Sequence, residues 1–286
     1  MGNDFKRSVK KKWYVGYQEM SFPAVQKGWV LPPDSWREFD PFILMAEDWF
    51  KRGAFSDHPH RGFQTITYVI DGRLEHTDNK GGHGILETGD VQYMNAGSGA
   101  RHAEEAVDDD IAHTLQLWLN LPAKLKGTEA SYQDVYSEDC PAVPFEGGAL
   151  KVYAGNLHGV TGPMNPLVSI TLSEISLTEG AEFTLKLPEN HNAFLYVLSG
   201  DVNLGTEQDN LKKTGAAHLT YNEEGSEDME SELLIKAESR SKILVYSGLP
   251  IREEIVAHGP FVMNTMEEIQ QAVRDFNAGK FGPSSQ

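Results

Sequence analysis

Two pairs of residues at i, i+2 spacing, His58 with His60 and His102 with Glu104, offer three imidazoles and one carboxylate. Side chains alternate faces along a strand, so each pair can aim both members into one space. Such a donor set suits a borderline divalent transition metal such as Fe, Mn, Ni, Cu or Zn. Four protein ligands on a six-coordinate ion leave two positions open, and chemistry would happen there. A lone H-x-H reads more readily as a polar turn, here beside Pro59 and Arg61. The order that follows lifts it above that reading: a strand, a turn, a Gly-rich bend and a second pair of even spacing. Carried along one strand parity, Gly62, Gln64, Ile66 and Tyr68 share the inward face with the two histidines. Gln64 is therefore a candidate to hydrogen-bond a ligand, a metal-bound water or a substrate. His76, His83 and His113 have no partner at ligand spacing, and His76 and His113 are expected to pack inside the same barrel.

The elements that must position these residues read as short strands. Thr65–Ile70 is β-branched and aromatic, and Asp71-Gly72 closes it as a turn. Asp78–Gly82 and Glu87–Asp90 are further turns, Val91–Met94 resumes a strand, and Ala96–Gly99 bends the chain just before His102. His113–Leu119 completes the set. Strands at roughly ten-residue spacing without helical patterning suggest a small barrel or sandwich.

From about residue 123 to 149 the composition shifts, with Cys140, Pro141, Pro144, Gly147 and Gly148. Tyr132, Val135, Tyr136 and Phe145 call for burial, so this stretch reads as an ordered connector. A second strand-rich region follows. In it Tyr196-Val197-Leu198-Ser199-Gly200 echoes Tyr68-Val69-Ile70-Asp71-Gly72, and Thr214-Gly215 echoes Thr88-Gly89, which makes an internal repeat. Anchored on Gly200, the counterparts of His58 and His60 are Lys186 and Pro188. Anchored on Gly215, those of His102 and Glu104 are Asp228 and Glu230. Two carboxylates alone make a poor site for a soft metal, so the second barrel is expected to hold none. At the end of the chain Thr265-Met266-Glu267-Glu268 forms a capping box. It opens a helix with Ile269, Ala272, Val273 and Phe276 on one face and Gly279 as its stop.

Composition bounds the partners. At 286 residues the chain has room for two domains, with 40% hydrophobic and 23% charged residues. A net charge of −17 argues against nucleic-acid binding by the whole surface. The one basic run, Lys6 to Lys12, is expected to be a solvated, partly ordered arm. No apolar stretch follows it and none approaches membrane-spanning length. The single Cys140 excludes an intrachain disulfide and fits a reducing, cytoplasmic setting.

The segment His58-Pro-His-Arg-Gly-Phe-Gln-Thr-Ile-Thr-Tyr-Val-Ile-Asp-Gly72 resembles the H-P-H-R-G-F-E-T-V-x-Y signature of the pirin family in the cupin superfamily. Gly89-Asp-Val-Gln-Tyr-Met-Asn-Ala-Gly-Ser-Gly-Ala-Arg-His-Ala-Glu104 resembles that family's G-D-V-Q-W-M-x-A-G-x-G-x-x-H-x-E. Leu115–Pro122 and Gly259–Asn264 extend the match, so it covers nearly the whole chain. The resemblance implies an all-β bicupin: two facing jelly-roll β-barrels with a C-terminal helix. Its parts would be an N-terminal metal-binding barrel at 1–122, a connector at 123–149, and a metal-free barrel plus the helix at 150–286. The family's iron ligands fall on His58, His60, His102 and Glu104, with Fe(II) first and Mn, Ni, Cu, Zn or Co as other candidates. Gln64 departs from the family, which usually carries Glu there; this lowers the charge around the metal by one. Pirin-like proteins are similar to quercetin 2,3-dioxygenases. The implied reaction opens a small aromatic flavonol with O2, Glu104 acting as base and Ile66 and Met94 helping to form an apolar slot. The resemblance also allows a redox-sensitive iron protein that binds a regulatory protein partner.

Overall fold

The computed structural model describes residues 5–285. Its contacts divide the chain into two compact units that do not follow the cuts at 122 and 150. One takes the described residues up to Val15 together with Glu138–Pro250; the other takes Gly16–Ser137 together with the described residues from Ile251. Each end of the chain therefore completes the unit built mainly from the opposite half.

The unit that carries the two histidine pairs is built around two main sheets, with a small two-stranded sheet of Val256–His258 and Phe261–Met263 beside them. The larger runs Ser131–Val135, Val91–Asn95, Phe63–Asp71, Ala112–Asn120, Phe42–Phe50, Ala24–Leu31, Tyr17–Glu19 from edge to edge. The smaller runs Phe55–His60, Ala100–Ala106, Leu74–Asp78, His83–Leu86. Both have open edges, so the expected barrel is a β-sandwich. Phe50, Val69, Leu74, Leu86, Ala106 and Ala112 fill the space between its sheets. Ser131–Val135, in the predicted connector, is an edge strand here and pairs with Val91–Asn95.

The C-terminal helix Met266–Asn277 belongs to the same unit. Thr265 and Glu268 form the full reciprocal capping box. Ile269 and Ala272 pack with Phe261 and Phe281, and Phe276 lies partly buried against them. Val273, expected on this face, is 38% exposed at the margin of the stripe.

The second unit repeats the arrangement. Its seven-stranded sheet runs Ala142–Phe145, Gly148–Ala154, Ile170–Leu177, Ser241–Gly248, Asn192–Ser199, Gly215–Leu219, Val9–Tyr14. In the facing sheet, Glu230–Ala237 pairs with Phe5–Lys6, Glu182–Pro188 and Asp201–Leu204. The basic run is thus not a solvated arm. Phe5–Lys6 lies parallel to Glu230–Ala237, and Val9–Tyr14 is an antiparallel edge strand on Gly215–Leu219. Arg7 is buried, donating to Ser231 Oγ at 2.7 Å and to the carbonyls of Pro188 at 2.7 Å and His191 at 2.9 Å. Acidic partners meet the charges beside it, Lys6 on Glu232 and Lys12 on Asp209. No helix among the described residues is long and apolar enough to cross a membrane.

Candidate metal centre

His58 and His60 end the strand Phe55–His60, which lies antiparallel to Ala100–Ala106 with His102 opposite His58 and Ala100 opposite His60. That register brings three imidazoles together: one ring nitrogen of each lies within 4.8 Å of those of the other two. His58 is half-buried; its Nδ1 donates to the Ser56 carbonyl at 2.8 Å, which turns Nε2 inward as a lone pair. His58 Nε2 and His102 Nε2 are 3.1 Å apart. Adjacent nitrogens bound about 2.1 Å from one ion sit at roughly that separation.

Both ring nitrogens of His60, and Nδ1 of His102, are buried without a hydrogen-bond partner among the described residues. An orphaned buried nitrogen is costly, and a metal ion held together with His58 is the group that would satisfy these two rings at one point. Burial pushes His60 and His102 well below the ordinary histidine pKa, and repulsion from the neighbouring imidazoles adds to it. Both are therefore neutral near pH 7, the form that ligates. The residues fit a divalent metal.

Glu104 stands apart from this group. A register shift between His102 and Glu104 places Glu104 opposite Phe55 on one side and His76 on the other. Its buried carboxylate accepts from Thr67 Oγ1 at 2.9 Å and from Gln116 Nε2 at 2.5 Å, and Gln116 in turn accepts from Trp118 Nε1 at 3.3 Å. Asp48 lies on the inward face near it; burial pushes that carboxyl up to about 6, Lys27 opposing and the charge of Glu104 adding.

The parity argument for Gln64 breaks at Gly62. Its φ is +86°, and a Cβ there would fall 2.0 Å from the Val262 carbonyl oxygen, so the chain turns sharply between the two sheets. Beyond the turn the inward residues are Phe63, Thr65, Thr67 and Val69: Phe63 packs on His60, Thr67 bonds Glu104 and Val69 joins the core. Gln64 points the other way, accepting from Tyr93 Oη at 2.6 Å and donating to the Asn120 carbonyl at 3.4 Å. Ile66 shares its face, so it lines no slot at the histidines. Met94 packs with Ala96, Ala100 and Ala130. The apolar wall beside the site is made instead by Phe63 and Trp118, stacked at 4.1 Å, each with its ring edge-on to His60.

Of the remaining histidines, His76 is buried with its ring 5.5 Å from that of His102. His113 lies on the outward face, stacked on Trp49 at 3.8 Å and 2.7 Å from Glu47 Oε1. Thr67, Gln116, Trp118 and Asp48 escaped the sequence reading. The alternation Thr114, Gln116, Trp118 along one strand was the signal available for two of them.

The repeat counterparts also need correction. Lys186 pairs with Glu232 and Pro188 with Glu230, so Asp228 falls before the strand rather than opposite Lys186. The inward residues of these two strands are Leu185, Leu187 and Leu233 in the core and Ser231 against Arg7. A longer approach through Asn222–Asp228 moves the register off the Gly215 anchor.

Comparison with known proteins agrees with this architecture. Residues 31–119 match the family model described as Pirin, and residues 172–282 match the Pirin C-terminal cupin domain. The Homo sapiens protein Pirin is 38% identical over 251 residues, covering 86% of this chain and 84% of its own. Pirin-1 of Arabidopsis thaliana is 35% identical over 282 residues, covering 98% and 96%. A crystal structure titled quercetin 2,3-dioxygenase, from Acinetobacter baumannii, superposes with a TM-score of 0.84 at 32% identity, covering 98% of this chain and all of its own.

Proposed function

The chain belongs to the pirin family of the cupin superfamily, and on that premise we propose that it is a mononuclear metal-dependent dioxygenase that opens flavonols such as quercetin with O2. In this reading the metal is Fe(II), held by His58, His60 and His102, and Glu104, the fourth ligand of the family pattern, joins them only by releasing one of its contacts to Thr67 and Gln116. The observation that carries it is the convergence of the His58, His60 and His102 imidazoles, two of them buried, with both ring nitrogens of His60 and Nδ1 of His102 lacking a hydrogen-bond partner among the described residues. The likeness to a structure titled quercetin 2,3-dioxygenase supports the substrate class.

A bound divalent metal would supply Lewis acidity, lowering the pKa of a substrate hydroxyl, and open positions for substrate and O2. The chain's own groups have distinct tasks. Ser56 fixes the His58 tautomer through its carbonyl. Glu104 takes the hydroxyl proton on its carboxylate, and Thr67 and Gln116 hold that carboxylate in a known orientation until the proton arrives. The half-buried Trp118, backed by the fully buried Phe63, offers an apolar contact for a flavonol ring beside His60. Burial of His60 and His102 keeps bulk water from the reacting groups.

The test is loss of quercetin together with release of carbon monoxide by anaerobically purified protein, wild type against His60→Ala. Turnover by the wild type that disappears in the variant supports the reading. A wild type with stoichiometric metal and no turnover would overturn it and leave a metal-binding regulator.

A further inference from the structure

Each ligand-bearing strand carries, next to its histidines, a charged residue on the opposite face. Asp57 precedes His58, Arg61 follows His60, and Arg101 precedes His102. All three are tied to one another or to the C-terminal part of the chain. Arg61 Nη1 donates to Asp275 Oδ2 of the helix at 2.8 Å, its Nε donates to the Ser98 carbonyl at 2.7 Å, and its guanidinium lies 5.0 Å from the Phe281 ring. Asp57 accepts from Arg101 Nε at 3.0 Å and from both the backbone N–H and the hydroxyl of Ser285, at 2.7 and 2.6 Å. Arg101 itself lies 5.5 Å from the Phe276 ring.

The backbone joins in. The Arg61 N–H donates to the Pro260 carbonyl at 3.2 Å, and the Val262 N–H returns to the Arg61 carbonyl at 3.0 Å. The buried Lys126 ammonium gathers the Gly62 carbonyl at 2.7 Å, the Val262 carbonyl at 3.1 Å and the Asn120 side chain at 2.9 Å. A Cβ on Gly99, just ahead of His102, would meet the Phe281 ring at 2.8 Å. These pairs are shielded: side-chain exposures are 16% and 10% for Arg61 and Asp275, and 24% and 9% for Arg101 and Asp57.

We propose that residues 260–285 are the positioning element of the metal centre, acting on its histidines from the back of their strands through Asp275–Arg61 and Ser285–Asp57–Arg101. The physical reason is alternation. In a stiff strand, fixing residues 57 and 61 fixes the rotation of 58 and 60 about the strand axis, and Arg101 does the same for His102. Charge-assisted pairs with partly desolvated partners are rigid enough to do so. Ligand geometry set to within about 0.5 Å decides how well an ion is held. Arg61 and Asp275 are thus positioning residues, contacting no reacting atom. This inference rests on the metal-site reading.

Co(II) serves as the probe, because its visible absorption reports ligand geometry. Affinity is measured by chelator competition for the wild type, Arg61→Gln, Asp275→Ala and the double variant, alongside the melting of each metal-free protein. Arg73→Gln, which removes the exposed pair with Asp110 in the same unit, is the control. The expected result is a 10–100-fold weaker Co(II) affinity in each single variant, the usual scale for groups that orient a ligand. The double variant should be no weaker than the weaker single one, and the spectra of the three should shift while the control stays at wild type. Variants that melt lower yet keep wild-type affinity and spectrum would overturn the inference, reducing the clamp to fold stability. A wild type that binds no Co(II) would sink the metal-site reading itself, a result distinguishable from the first.

Discussion

His60 and His102 are buried imidazoles, and their protonation follows from that burial. Burial pushes both below the ordinary value of about 6.5, so each stays neutral as acid is added through the range where a free imidazole charges. In the metal-free protein their ring resonances should therefore not titrate between about pH 8 and 6; a midpoint near 6.5 for either would contradict the burial described. The sign for stability is the same: the unfolded chain binds these protons first, so the fold loses stability as pH falls below about 6.5. Thr67 gives a second test. Thr67→Val keeps shape but leaves a buried Glu104 oxygen short of a donor, which should cost about 1–3 kcal/mol in denaturant unfolding. The three histidines were legible from i, i+2 spacing together with the strand and turn signals between the pairs, whereas the same spacing misplaced Glu104, because a register shift follows His102. Thr67 and Gln116 were not, because their importance depends on which face of another strand meets Glu104.

At the scale of elements, the turn at Gly62 decides which residues see the metal centre. With φ at +86° and the Val262 carbonyl oxygen 2.0 Å from where a Cβ would stand, Gly62→Ala should destabilise the protein by about 1–3 kcal/mol or more. It should also weaken metal binding, since His60 is two residues away; unchanged melting and unchanged metal affinity would show that the turn relaxes freely. This turn is why the reading of Gln64 and Ile66 as inward failed: parity holds within a strand and is lost across a left-handed glycine between two sheets. The helix at the end was readable to its cap because the capping box is local. The basic run concealed a strand. Val9 and Trp13 keep the alternation, but Lys10, Lys11 and Lys12 occupy the exposed edge, where lysine guards an unpaired sheet edge.

For the whole molecule, the exchange of chain ends between the two units is the property least visible in the sequence. Nothing in residues 5–15 announces that they pair with residues 215–219 and 231–232. Removing residues 2–15 should leave the Pro188 and His191 carbonyls and Ser231 without Arg7. The strands Gly215–Leu219 and Glu230–Ala237 should then exchange amide hydrogens faster, while Phe55–His60 keeps its protection. Equal loss in both units, or none, would contradict the division of the fold described above. A fragment cut at 1–122 should fail to bind metal for the complementary reason: it lacks Lys126 and the segment from residue 251 that completes the unit.

The central claim is that His58, His60 and His102 form one metal centre. Its most direct test is the metal content per chain of anaerobically purified protein, reconstituted with Fe(II) and desalted, for the wild type and for His60→Ala. The account expects about one iron per wild-type chain and a large loss in the variant, with the metal-free fold intact in both. A wild type that retains no metal, or a variant that retains as much, would contradict it.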